Sequence, residues 1–135
     1  MTTELRFLVF TAILTGSLWI PVVIGYGLSR GPLKPGDYKV APTTPLPDWV
    51  NRANRAHMNA VESFAPFAAI ILTAHALSIH SSVTAGAAAV YFGARLVHAV
   101  VHIGGVSLLM IRTLIFTVGW GAFIAIAVEI LRLAS

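Results

Sequence analysis

Cysteine is absent from the chain, which excludes a disulfide framework, a thiolate metal site and a cysteine nucleophile, and leaves the redox state of its compartment unreadable. Charge is scarce as well. Only 10% of the 135 residues are charged against 57% hydrophobic, and with a mean hydropathy of +0.83 the chain is too apolar for an ordinary soluble domain. It reads as an integral membrane protein. Acidic residues are the scarcest charge, five against nine Lys and Arg, for a net charge of +4. In a membrane protein such an excess bears on topology, and no stripe of basic and aromatic residues offers a groove for nucleic acid. The length allows one domain of several spans, without a separate soluble domain of useful size.

Four apolar runs are present, each near the ~20 residues a helix needs to cross a ~30 Å hydrocarbon core. They cover roughly 5–28, 49–79, 83–103 and 108–133, and predict an all-α, four-helix membrane bundle in one domain, 1–135. The first run is too long for a signal peptide, carries Glu4 beside Arg6 at its start and shows no small-x-small cleavage site. Pro21 is expected to kink it. A Pro- and Gly-rich loop follows, after which Asp48 is expected to cap the second helix and Trp49 suits an interface. Gly104 and Gly105 are expected to end the third helix, whose many Ala and Gly residues favour close packing. The first loop holds Arg30, Lys34 and Lys39, with Arg52 and Arg55 just beyond, whereas the second has no Lys or Arg. The positive-inside rule therefore puts the first loop in the cytoplasm and both termini on the opposite side.

Polar residues gather where these spans meet the cytoplasmic leaflet. In the second helix Arg52, Arg55, Asn59 and Glu62 recur at spacings that share one face. In the third, Arg95, His98 and His102 do the same, with Tyr91 extending the face. At 1.5 Å per residue Glu62 lies ~20 Å into its helix and Arg95 ~15 Å back from the end of the next, so the two are expected to meet. Charges at that depth cost at least ~2.5–3.5 kcal/mol if they face lipid, which predicts a polar pocket that Arg112 joins. Guanidinium groups there suit an anionic ligand, and Glu62 with Asn59 an amine or amide. Competing readings stand beside this one: a structural Glu62–Arg95 ion pair, Arg52 and Arg55 reaching to headgroups, and a metal held by His98 and His102, for which the spacing is a weak signal. His75 and His80 are expected at the other interface, and Glu129 with Arg132 as a pair at a helix end.

The stretch "RAHMNAVESFAPF", residues 55–67, resembles the signature of the MAPEG family, the membrane-associated proteins in eicosanoid and glutathione metabolism. "ARLVHAVVH", residues 94–102, is similar to the family's A-R-x-x-[HY]-x-x-x-Y stretch, and "MIRT", residues 110–113, to its later I-R-[ST] element. The resemblance covers all four spans in order. It implies a homotrimer with glutathione as co-substrate between subunits near the cytoplasmic face. Carried over by position, Arg52 and Arg55 would bind the tripeptide's carboxylates, with Asn59 and Glu62 completing the grip. His57 would touch the ligand, and Arg95 and His98 would be pocket residues from the third helix. Arg112 would stabilise the thiolate beside Thr113, since a guanidinium lowers a thiol's pKa. The sequence departs from the family pattern in three places. His102 stands where catalytic members commonly have tyrosine, Ser63 replaces a tyrosine of one branch, and aligning Arg112 takes a one-residue insertion.

The resemblance thus implies a membrane-bound glutathione-dependent transferase or peroxidase acting on lipophilic electrophiles that enter from the bilayer. The alternative within the same family is a non-catalytic membrane protein that binds a lipid or stabilises a partner.

Overall fold

A computed structural model describes residues 1–32, 34–40, 43–108 and 110–135. Leu33, Ala41, Pro42 and Leu109, which fall in the first loop and at the head of the last expected span, lie outside the described residues. All regular structure among the described residues is helical. The first apolar run is two helices in line, α1 (Thr3–Ser17) and α2 (Trp19–Arg30). Thr2 caps α1 by accepting from the Leu5 amide at 3.3 Å. The interruption falls at Leu18, three residues before Pro21, which has no N–H to offer the Ser17 carbonyl. A short 3-10 turn over Pro35–Tyr38 is the only helical element described in the loop that follows.

Helix α3 (Asp48–Ala76) is the longest. Asp48 is its first helical residue and makes no capping bond; Pro47 occupies the cap position, suited to it by a fixed φ. The helix ends at Ala76, short of the expected 79. There Ser78 takes a left-handed φ of 56° and Ile79 folds back, its amide donating to the Ala74 carbonyl at 2.8 Å. Helix α4 (Ser82–Gly104) opens on a reciprocal cap between Ser81 and Thr84 and closes on Gly105 in the left-handed region, φ 70°. Helix α5 (Ile111–Ala134) completes the bundle.

The core forms where small and branched side chains of three helices interlock: Phe67 and Ile71 of α3, Ala88 and Tyr91 of α4, Ile126 and Ile130 of α5. Leu5, Phe7 and Leu8 of α1 pack against it. Small residues set the helix spacing. A Cβ at Gly25 would collide with Val50, so α2 and α3 touch through a glycine. By contrast, Gly86 and Gly93 of α4 face open space and contribute nothing to packing inside the protomer.

Large apolar side chains cover the outside, among them Ile13, Val23, Leu114 and Leu131. For a water-soluble protomer that surface would be a liability; against lipid it is the expected one. Three helical stretches are long and apolar enough to cross a membrane, Thr3–Arg30, Ser82–Gly104 and Ile111–Ala134. Helix α3 falls short because its head is polar; its apolar part, residues 63–76, makes only ~21 Å of helix.

Candidate functional site

Helix α3 begins where α4 ends and α5 starts. Arg52 ties this end together: its Nε donates to the Ile103 carbonyl at 3.2 Å, satisfying one of the carbonyls that the last turn of α4 leaves free. Its guanidinium also fills the space beside Gly105, where a Cβ would lie 2.8 Å from Arg52 Cζ. The structure therefore gives Arg52 a structural role at this helix end.

About two turns deeper, Arg95 is 6% exposed. The expected meeting of Arg95 with Glu62 does not occur. Arg95 Nη2 donates instead to Asn59 Oδ1 at 2.7 Å, and among the described residues no ion pair involves Glu62. The helical wheel supplies the reason. Positions 53, 56, 60, 67, 71 and 74 of α3 are buried, so Asn59 and Ser63 flank the core while Arg55 and Glu62 lie further round, exposed. His57, two residues from both Arg55 and Asn59, belongs to another face and lines neither of the cavities described below.

The remaining predicted residues come together. His98, His102, Arg112, Thr113 and Phe116 line an open cleft of about 330 Å³ between α4 and α5. The two imidazole rings are 5.6 Å apart and His98 lies 6.2 Å from the Phe116 ring. Among the described residues His102 Nδ1 is buried without a hydrogen-bond partner, which is costly unless a ligand or water supplies one. No third ligand joins the histidines: among the described residues no group of three or more His, Asp or Glu side chains is placed to hold a metal ion.

A second cavity, of about 270 Å³, adjoins the first and shares Phe116 with it. Its other walls include Ser63, Pro66, Trp120 and Phe123, none of which was a site candidate from charge or spacing. The readable signal was Pro66, a proline inside an otherwise regular helix.

At the opposite end of the bundle Glu4, 3% exposed, accepts from Thr84 Oγ1 at 2.5 Å and lies 3.8 Å from His80 Nδ1. Glu129 accepts two 2.9 Å bonds from Arg132. These polar groups are far from the cleft, at the other ends of α4 and α5.

An apolar-surfaced helical bundle with an open cleft lined by His98, His102 and Arg112 at one end defines the class: an integral membrane protein. Residues 6–132 match the MAPEG family, nearly the whole chain, and the protein belongs to that family. Its function therefore falls, in general terms, within membrane-associated eicosanoid and glutathione metabolism. No curated relative matches the chain.

Proposed function

We propose that the protein is a membrane-bound transferase or peroxidase that uses glutathione as co-substrate against lipophilic electrophiles. The observation that carries this reading is the cleft of His98, His102, Arg112 and Thr113, with its unpartnered His102 Nδ1. Four guanidinium groups at one end of the bundle suit a peptide with two carboxylates. The neutral donors suit its amides.

In this reading Arg112 stabilises the thiolate: a positive charge beside the sulfur favours its ionisation. The thiol proton leaves to solvent through the open mouth of the cleft. The sulfur then attacks an electrophile that reaches the cleft from the bilayer side. Asn59 holds Arg95 in place, while Arg55 and Glu62 complete the grip on the peptide.

Exposed Arg55 and Glu62 fit an assembly better than a lone protomer, since a charge facing lipid is costly. A homotrimer, in which a neighbouring subunit covers this face, removes that cost. The whole chain, 1–135, then acts as one transmembrane domain, with the first loop and the cleft on the cytoplasmic side and both termini opposite. The test is direct: the purified protein in detergent should conjugate glutathione to 1-chloro-2,4-dinitrobenzene. If it binds lipid mediators but yields no conjugate with this or other electrophiles, the non-catalytic alternative replaces the proposal.

A further inference from the structure

The loop between α2 and α3 carries charge that the cleft does not use. Lys34 and Lys39 flank its 3-10 turn, Pro35–Tyr38, and both are exposed. The acidic residue between them is committed to the backbone: Asp37 Oδ2 accepts from the Lys34 amide at 2.8 Å, and the Asp37 amide donates to the Lys34 carbonyl at 2.9 Å. Among the described residues neither lysine joins an ion pair, and neither lines the cleft or the cavity beside it. Next to these two ammonium groups, Tyr38 is 79% exposed and Val40 73%. The loop is also clamped to the end of α2. Arg30 Nε donates to the Thr44 carbonyl on its return limb at 3.0 Å, and the guanidinium carbon stands 5.1 Å from the Tyr26 ring centroid. Since Arg30 ends a stretch long and apolar enough to cross the membrane, the clamp keeps the turn close to the bilayer surface.

We infer that this turn docks on anionic phospholipid of the adjoining leaflet. Lys34 and Lys39 pair with headgroup phosphates, while Tyr38 and Val40 enter the interfacial layer. Charge complementarity and the neighbouring apolar side chains together name the partner, because a lipid surface is anionic outside and apolar beneath. A soluble anion would engage the ammonium groups and leave Tyr38 and Val40 in water. The inference goes beyond the transferase reading and holds equally for a non-catalytic protein.

The absence of cysteine lets a single nitroxide report on the turn. Gly36→Cys places the label where an added Cβ meets nothing within 4 Å. Collisions of the label with a neutral, water-soluble nickel chelate are compared in vesicles of phosphatidylcholine alone and of phosphatidylcholine mixed with phosphatidylglycerol. They should be about fivefold rarer in the mixed vesicles, the factor by which one lysine near an anionic surface shifts the docked population. Salt at about 1 M should abolish the difference, because the screening length falls to ~3 Å. Lys34→Gln with Lys39→Gln should abolish it too, and both side chains are exposed, so the fold is kept. Equal collision rates in the two membranes, or an undiminished difference in the double variant, overturn the proposal. Shielding produced by free glycerol phosphate in phosphatidylcholine vesicles would assign the lysines to a soluble anion and overturn the lipid partner. None of these readouts depends on turnover, so failure here leaves the transferase reading standing.

Discussion

Arg95 of α4 and Asn59 of α3 meet through a 2.7 Å hydrogen bond in the half of the bundle that carries the cleft. The bond gives a buried guanidinium a neutral amide as its acceptor, and among the described residues Glu62 joins no ion pair. That exchange turns an expected structural ion pair into a carboxylate open to a ligand or a neighbouring subunit.

Removing the amide should expose the cost of the buried charge. Asn59→Ala is expected to destabilise the protein by about 1–2 kcal/mol, the scale of a polar contact between membrane helices. Thermal unfolding in a fixed detergent measures it. Stability equal to wild type would mean that Arg95 finds another acceptor.

The thiolate role of Arg112 separates binding from chemistry. Arg112→Ala should lower kcat for glutathione conjugation by about 10²–10³-fold, the scale for losing one stabilising donor, with glutathione affinity largely kept. A variant as active as wild type would remove Arg112 from the mechanism.

At the far end of the bundle Glu4 binds Thr84 and joins the start of α1 to the start of α4. Glu4→Ala should cost about 0.5–1.5 kcal/mol of stability, the scale of one lost hydrogen bond, because Thr84 keeps the Ser81 carbonyl as an acceptor at 3.0 Å. Glutathione affinity should not change. A weaker affinity in a variant that still folds would show that this end communicates with the cleft.

The α2–α3 contact depends on a missing side chain. Gly25→Val should destabilise by about 1–3 kcal/mol through overpacking against Val50, whereas Gly86→Val, facing open space in the protomer, should not affect protomer stability. Unfolding of the two variants side by side distinguishes them. If Gly86→Val is the one that disrupts the protein, α4 is covered by another subunit at that point.

Much of this architecture was legible in the chain. Hydropathy marked the four apolar runs, the first of which is two helices in line, and Gly105 marked the end of α4, because both signals are local. Helical spacing put His98 and His102 on one face and the turn after α4 put Arg112 at the same end, and the three line one cleft. It failed on Glu62, because a shared face spans a wide arc and only packing decides which side of that arc meets α4. His57 was placed by the family motif and not by spacing, and position in a motif does not fix direction around a helix. The role of Arg52 at the end of α4 depends on a bond across 51 residues, which no local pattern shows. The aromatic chamber was illegible for a different reason: Phe116, Trp120 and Phe123 look like lipid-facing residues until Pro66 and Ser63 are seen opposite them.

Isothermal calorimetry on detergent-purified protein measures whether the polar stretch of α3 and the cationic cleft bind glutathione. The wild type should bind saturably, and Glu62→Gln at least tenfold more weakly. Absence of binding by the wild type, or the same affinity in the variant, would contradict it.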